Sequence, residues 1–292
     1  MSRILTAQLF RGDLLPLANQ LSKEALARLN ASNRRLDTFP SLLQCYGLDL
    51  HFKIISSKGF LAHDGFGWHI VVNKLLDNKT QRYTIAHELA HYIILQKHGL
   101  TQESAEEQGV GEHLEELCDI FASLVLASPN VVRSKLCGQK SITFEVIERS
   151  ARELHVPLRA ILHSVKAAGG LGQSSQFIFS FRPNPLSGTL TALHYCTIVP
   201  NTVHLSRHLT AESLGLLQLS EGWHNMILGR EYQWDERVTF VSEDSNEDDR
   251  ELPECIEGKM LCKRYGNVEE GTTLVGLFSA SNRKSNMTVV DI

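Results

Sequence analysis

The stretch YTIAHELAHYIIL, residues 83–95, carries two histidines at the spacing that a metal site on a helix requires. His87 and His91 are four residues apart, so both imidazoles leave the same face of an α-helix. Two nitrogens placed in this way suit one zinc ion at about 2.0–2.1 Å. Glu88 is rotated by about 100° from His87. Its carboxylate is therefore expected to reach a water bound to the metal, whose pKa zinc lowers to about 7, and to act as general base.

A catalytic zinc also needs a third protein ligand and an open fourth position. The downstream stretch EELCD supplies Glu115 as the candidate ligand, with Glu116 as the alternative. Asp119 follows Glu115 at i+4 and shares its helix face. A carboxylate at that place can accept a hydrogen bond from the outer nitrogen of a ligand histidine and fix its tautomer.

Neighbouring residues allow further interpretations. His113 and Tyr92 are candidate stabilisers of an oxyanion. Cys118 is interpreted as a small buried residue, and the sequence leaves open whether it approaches the metal. The alternative to a metal site is a pair of half-buried histidines satisfied by hydrogen bonds. The glutamate of the first motif and the acidic pair of the second favour the metal.

Two helices must position these residues. Residues 77–99 predict one helix, with Asp77 or Asn78 as its N-cap and Gly99 as its stop. Residues 113–129 predict the second helix, and the polar segment between the two is expected to be a loop.

A small sheet and further helices are predicted around this pair. Residues 1–45 have helical periodicity, and 48–55 and 59–73 predict strands with a glycine turn inside the second segment. The short β-branched stretch HIVVN, residues 69–73, precedes the motif helix. It is the candidate edge at which an extended substrate would pair.

The chain changes character near residue 170. Residues 141–168 predict two helices broken at HVP, and GGLGQSS, residues 169–175, is the candidate linker. A helix is expected near 210–219 in a β-rich or mixed α/β second domain. Its predicted strands are QFIFSF, LTALHYCTIV, RVTFVS, KMLCKRY, TTLVGLFSA and MTVVDI.

Composition limits the class of protein. The 292 residues carry a formal net charge of −4, which does not indicate a general nucleic-acid binder. Apolar runs fall far short of the roughly 20 residues of a membrane span, and no signal-peptide core is present. Six scattered cysteines indicate reduced thiols and a cytoplasmic protein. Residues 131–166 hold seven Lys or Arg against three acids, which leaves open a DNA-binding helix pair beside the ordinary interpretation.

The patterns Y-T-I-A-H-E-L-A-H and E-x-x-C-D-x-F-A, followed by P-x-x-V, resemble the ImmA/IrrE metallopeptidases over roughly residues 50–165. The resemblance implies an α+β fold in which a small gluzincin-type sheet packs on the two motif helices. By position it implies zinc ligands at His87, His91 and Glu115, the base at Glu88 and a supporting carboxylate at Asp119. Two departures from the family pattern, Asp for the usual Asn at 119 and Cys for a small residue at 118, leave this site intact.

Long members of that family suggest the layout of this chain. It implies a zinc metallopeptidase-like domain at 1–130, a helix-turn-helix-like segment at 131–170 and a mixed α/β, GAF-like sensor domain at 171–292. The implied cofactor is Zn²⁺, with Mn²⁺ as the alternative.

The same resemblance implies an endopeptidase that cleaves an Xre or phage-repressor-type helix-turn-helix repressor. Cleavage would derepress a DNA-damage, mobile-element or anti-phage operon. Single-stranded DNA is a candidate activator, and no membrane partner is expected. The alternative is a regulator that binds DNA or sequesters its repressor without cutting it. Basic and aromatic residues that would serve single-stranded DNA are Arg182, Arg207, Lys263, Arg264 and Tyr265.

Overall fold

The structure is a computed structural model that describes most of the N-terminal half and five strands beyond it. The described residues are Leu5, Leu9, 14–31, 39–136, 143–168, 176–183, 190–197, 230–240, 254–267 and 271–280. The chain divides into two compact units. Unit 1 contains Met1–Leu136 and Phe144–Ala168, and unit 2 contains Cys137–Thr143 and Gly169–Ile292.

Unit 1 combines eight described helices with a three-stranded sheet. The helices are α1 (Leu14–Ala31), α2 (Phe39–Cys45), α3 (Asn78–His98), α4 (Gln102–Glu107), α5 (Gly111–Leu126), α6 (Pro129–Leu136), α7 (Phe144–Leu154) and α8 (Leu158–Ala167). The strands are β1 (Leu48–Lys53), β2 (Gly59–His63) and β3 (Trp68–Asn73). The expected α+β class is confirmed for this unit.

The strand order of the small sheet is β1-β3-β2. Strand β3 pairs in parallel with β1 and antiparallel with β2, so it is the central strand. The prediction that HIVVN is the substrate edge is therefore wrong. Its continuous apolar run, Ile70 to Val72, is buried, and Ile70 and Val72 pack in the core with residues of the helices. The outer strands are β1 and β2.

One hydrophobic core joins this sheet to the helices. Ile70 and Val72 of β3 share it with Leu89 and Ile93 of α3, and with Phe121 of α5. Phe121 is fully buried, and its truncation to alanine would cost about 3–5 kcal/mol. The core therefore fixes α3 and α5 side by side, which is the placement that the metal motif needs.

The ends of α3 follow the predicted signals. Asp77 is the N-cap and accepts hydrogen bonds from the backbone N–H of Lys79 at 2.8 Å and Thr80 at 3.2 Å. Gly99 ends the helix at φ 67°, and its N–H donates to Leu95 O.

The polar segment after Gly99 is not simply a loop, so that prediction is wrong in part. It contains α4, which begins at the N-cap Thr101. Thr101 and Ser104 cap one another in a reciprocal capping box, which stabilises a helix too short to show an apolar period.

The two helices predicted in 141–168 are confirmed as α7 and α8. They are separated at HVP, where His155 has φ 52° and Pro157 precedes the first turn of α8. Helix α8 packs against α5 and α7 within unit 1.

Unit 2 contains a five-stranded antiparallel sheet of order β5-β4-β8-β7-β6. Its strands are β4 (Gln176–Pro183), β5 (Leu190–Thr197), β6 (Glu231–Phe240), β7 (Glu254–Asn267) and β8 (Gly271–Ala280). The predicted linker at 169–175, helix near 210–219 and strand MTVVDI lie outside the described residues.

Across the described part of the chain, no single helix is both long and apolar enough to cross a membrane. The bent pair of α5 and α6, which turn by 58°, has the length and composition only when taken together.

Candidate metal centre

Helices α3 and α5 bring three metal-ligating side chains together. The Nε2 atoms of His87 and His91 lie 3.1 Å apart. Glu115 of α5 faces both rings, with Oε2 at 3.2 Å from His87 Nε2 and Oε1 at 3.2 Å from His91 Nε2. The described residues contain no other group of this kind within metal-binding distance.

This arrangement fits a tetrahedral zinc ion. Ligand atoms at zinc–ligand distances of about 2.0–2.1 Å and tetrahedral angles are about 3.3 Å from one another. The observed separations are 3.1 and 3.2 Å. Two imidazole nitrogens that face each other so closely repel unless a proton or cation lies between them. A single cation satisfies both rings and the carboxylate together.

The outer nitrogen of His87 is held by Asp119. His87 Nδ1 lies 2.9 Å from Asp119 Oδ1, one turn along α5 from Glu115. An ionised carboxylate only accepts hydrogen bonds, so Nδ1 carries a hydrogen and Nε2 is the nitrogen that is left to bind a metal. The Nε2 of His87 is thereby presented to the other two ligands.

The side chain of Glu88, on α3, faces the outer strand β2. The backbone N–H of Leu61 donates a hydrogen bond to its carboxylate. A Cβ on Gly59 would lie 2.5 Å from Thr84 Cγ2 and 2.9 Å from Val71 O, so only glycine permits this close approach of strand and helix. Burial raises the pKa of Glu88, although His87 and His91 partly oppose the shift. A raised pKa suits a carboxyl group that accepts and then returns a proton near neutral pH.

The charges of the metal-free cluster favour cation binding. Hydrogen bonds from His87 and His91 lower the pKa of Glu115 to about 2, so it is ionised over the physiological range. Burial lowers the pKa of His87, but its bonds with Asp119 and Glu115 outweigh this and raise it to about 10. Burial raises the pKa of Asp119, yet the His87 ring and Arg159 lower it on balance. A metal ion would replace the proton held by this cluster.

The site is open on the side of Glu115. The side chain of Glu115 is 47% exposed, against 16% for His87 and 14% for His91. Cys118 is fully buried and burial raises its pKa, so it stays a thiol and is not in the ligand group. Among the described residues the group offers three protein ligands, which is the number that catalytic zinc sites use.

The remaining candidates from the sequence are the alternative ligand Glu116 and the possible oxyanion stabilisers Tyr92 and His113. Glu116 is not in the ligand group. Tyr92 donates its hydroxyl hydrogen to Tyr46 O at 3.2 Å, and the two rings pack edge to face. His113 lies at the start of α5, and its buried Nδ1 has no hydrogen-bond partner within the described ranges.

Two residues that the sequence interpretation missed also contact Asp119. The Tyr83 hydroxyl donates to Asp119 O at 2.8 Å, and Arg159 Nη1 of α8 lies 3.3 Å from Asp119 Oδ2. Tyr83 stands one turn before His87, a spacing that could have found it. Arg159 is 40 residues from Asp119 and gave no local signal.

Comparison with known proteins agrees with this geometry. Residues 46–166 match the peptidase family model described as the IrrE N-terminal-like domain. The match confirms the resemblance for that part of the chain and indicates a metallopeptidase-type domain. A solved structure of a Mycobacterium tuberculosis transcriptional regulator is similar in fold, with a TM-score of 0.53 and 13% identity, over 96% of this chain and 82% of that chain. No curated protein sequence matches the chain.

Proposed function

We propose that the protein is a zinc-dependent endopeptidase of narrow specificity that cuts a helix-turn-helix transcriptional repressor. One observation carries the catalytic part. The Nε2 atoms of His87 and His91 lie 3.1 Å apart, each lies 3.2 Å from one carboxylate oxygen of Glu115, and Glu88 is held beside them. A closed structural zinc site would take a fourth protein ligand and would have no use for a buried base.

The roles of the side chains follow from their places. A zinc ion bound there would act as a Lewis acid toward water and a peptide carbonyl. Glu88 takes a proton from the attacking water and passes it to the leaving amine, and its raised pKa suits both steps. Asp119 orients the His87 ring, and the hydrogen bond from Leu61 orients Glu88.

The edge of β2 is the candidate support for an extended substrate. Asn73 N donates to Lys58 O at 2.9 Å, and the register continues with residues 60 and 62 opposite 71 and 69. Hydrogen-bonded pairs alternate in an antiparallel ladder. The N–H and C=O of Gly59, Leu61 and His63 therefore point away from β3. This is the side on which Glu88 receives the Leu61 N–H. A substrate strand added there would place its backbone beside the base.

The proposed substrate follows from the sequence motifs rather than from a contact in the structure. Their resemblance to repressor-cleaving peptidases points to an Xre or phage-repressor-type protein. Cleavage would then derepress a DNA-damage, mobile-element or anti-phage operon. In this proposal residues 1–130 are the peptidase, 131–170 support it and the GAF-like region 171–292 senses the signal.

Most of the described basic side chains of the helical segment are engaged within unit 1, which does not favour direct DNA binding. Five of the segment's seven basic side chains are described. Three are engaged inside unit 1: Arg133 with Ala168 O, Lys135 with Glu153, and Arg159 with Asp119. Arg149 and Arg152 are exposed. We therefore propose single-stranded DNA as an activating signal, and we do not propose that this segment binds an operator.

The test is cleavage by the purified, zinc-loaded full-length chain. It is incubated with the helix-turn-helix repressor encoded beside it, with and without single-stranded DNA, and the products are measured by intact mass. The expected result is one new cut made by the wild type. The matched control, Glu88→Gln, should keep its zinc and make no cut, because the amide cannot accept the proton.

Two outcomes would contradict the proposal. A repressor that is captured but stays intact under both conditions would indicate sequestration without cleavage. A cut that Glu88→Gln also makes would assign the activity to another group or to a contaminating protease.

A further inference from the structure

Asp119 contacts two helices at once through its two carboxylate oxygens. Oδ1 lies 2.9 Å from His87 Nδ1 of α3, and Oδ2 lies 3.3 Å from Arg159 Nη1 of α8. The carboxylate therefore bridges the ring that presents Nε2 to the metal and a guanidinium from the helical segment that follows the two motif helices.

Arg159 is itself held in place. Its guanidinium carbon lies 4.1 Å from the centroid of the Tyr83 ring, which is close stacking of a planar cation on an aromatic face. The hydroxyl of Tyr83 donates to Asp119 O at 2.8 Å. Arg159, Tyr83 and Asp119 thus form a closed set of contacts in which both the side chain and the main chain of Asp119 are fixed.

A second pair of contacts sets α8 against α5 one turn further along. His163 Nδ1 lies 3.2 Å from Ser123 Oγ, and Ser164 Oγ donates to Ser123 O at 3.4 Å. His163 and Ser123 stand at i+4 from Arg159 and Asp119, so the two helices meet in register. The direction of the Arg159 side chain is therefore determined by the packing of its helix.

The charge of this centre also favours a cation at the position of the Arg159 guanidinium. Three carboxylates surround the two rings, those of Glu88, Glu115 and Asp119. With a divalent metal ion bound and these carboxylates ionised, a single negative charge would remain, which the guanidinium of Arg159 would offset. Removal of one partner of a buried ion pair leaves an uncompensated charge, and the Asp119 and Arg159 side chains are each only 26% exposed.

We propose that Arg159 is a positioning residue of the metal centre, which fixes the Asp119 carboxylate and through it the ring of His87. The inference rests on the metal site of the proposed function. It makes α8 a part of the peptidase unit rather than a separate module, because the outermost support of the ligand His87 comes from that helix.

The experiment uses the full-length, zinc-loaded protein and two readouts that do not depend on cleavage. The first is zinc affinity, measured by competition with a chromophoric chelator. The second is solvent exchange of the His87 Nδ1–H, followed by NMR with ¹⁵N-labelled histidine and assigned by its loss in Asp119→Ala. A residue that served only general stability would change this exchange rate no more than it changes the exchange of backbone amides elsewhere in unit 1.

The variants are Arg159→Gln, Arg159→Lys and the control Arg152→Met, which removes an exposed arginine of the same segment. Arg159→Gln should weaken zinc binding about tenfold, at the lower end of the effect of losing an outer partner of a ligand histidine. It should also accelerate the Nδ1–H exchange. Lysine keeps the charge but not the planar group that stacks on Tyr83, so Arg159→Lys should fall between wild type and Arg159→Gln. Arg152→Met should match wild type.

Wild-type exchange in Arg159→Gln would overturn the proposal. The zinc affinity of this variant would then be unchanged, or higher because loss of a nearby cation by itself favours metal binding. A normal Arg159→Lys beside an impaired Arg159→Gln would show that only charge matters, and would overturn the geometric role. If Arg159→Gln does not fold, as judged by circular dichroism, wild-type values in Arg159→Lys are sufficient to reject the proposal. Absence of zinc from the wild type would instead reject the proposed function.

Discussion

Gly59 of β2 and Thr84 of α3 are so close that a Cβ on the glycine would lie 2.5 Å from Thr84 Cγ2. The same Cβ would lie 2.9 Å from the backbone oxygen of Val71. Glycine at this position therefore sets the distance between the outer strand and the helix that carries Glu88. The Leu61–Glu88 hydrogen bond depends on this close approach.

Replacement of Gly59 by alanine should push β2 away from α3. We expect a loss of stability of about 1–3 kcal/mol, typical of overpacking, and a larger relative loss of cleavage than of bound zinc. Urea unfolding followed by circular dichroism measures the first effect, and zinc content and cleavage rate measure the second. The double variant with Thr84→Ser, which removes Cγ2, should recover part of both losses. Equal stability of Gly59→Ala and wild type would show that the strand is not constrained here.

Glu115, and not its neighbour Glu116, should be required for metal binding. Only Glu115 places both carboxylate oxygens at 3.2 Å from the histidine rings. Glu115→Ala should lose zinc measured by chelator competition, because two histidines alone hold it weakly. Glu116→Ala is the matched control and should bind zinc as the wild type does. The reverse result would show that Glu116 is the third ligand and that the site lies on a different face of α5.

The outer edge of β2 should tolerate proline in the fold but not in catalysis. His63→Pro removes an N–H that points away from β3, so the ladder between β2 and β3 keeps its bonds. We expect a higher KM for the repressor with zinc content unchanged. His63→Ala removes the same side chain but keeps the N–H, and should retain the KM of the wild type. A shared defect in both variants would assign the effect to the imidazole instead of the strand edge.

The Asp77 N-cap of α3 should make the stability of the protein depend on pH in the acid range. Partial burial raises the pKa of Asp77, but hydrogen bonds from Thr80 and Lys79 outweigh it and lower the pKa below its usual value. The contribution of a carboxylate with a depressed pKa is complete above the pKa of the unfolded chain, about 3.9. It is lost as the pH falls through the lower pKa of the folded state.

Asp77→Ala should therefore destabilise the metal-free protein by about 1 kcal/mol at neutral pH, and by less as the pH falls below about 4. Unfolding in urea, followed by the helical circular dichroism signal, measures this difference. Asp77→Asn keeps a capping oxygen without the charge and should show less pH dependence than the wild type. A penalty for Asp77→Ala that does not change with pH would contradict the assigned role of the ionised cap.

The sequence alone determined the features that depend on local spacing. His87, Glu88 and His91 are read from one helical turn, and Asp77 and Gly99 mark its ends because capping is local chemistry. The pairing of Glu115 with Asp119 follows from the same i+4 rule. The short helix α4 was missed because capping between Thr101 and Ser104 stabilises it without an apolar period.

Only the tertiary structure decided which elements meet. The sequence of β3 fits an edge or a central strand equally well, because its position depends on whether both β1 and β2 pair with it. The contact of Arg159 with Asp119 joins residues 40 apart, and the fit of Gly59 against Thr84 joins a strand to a helix. Such contacts are set by the packing of whole elements around a shared core. No periodicity within a single segment contains that information.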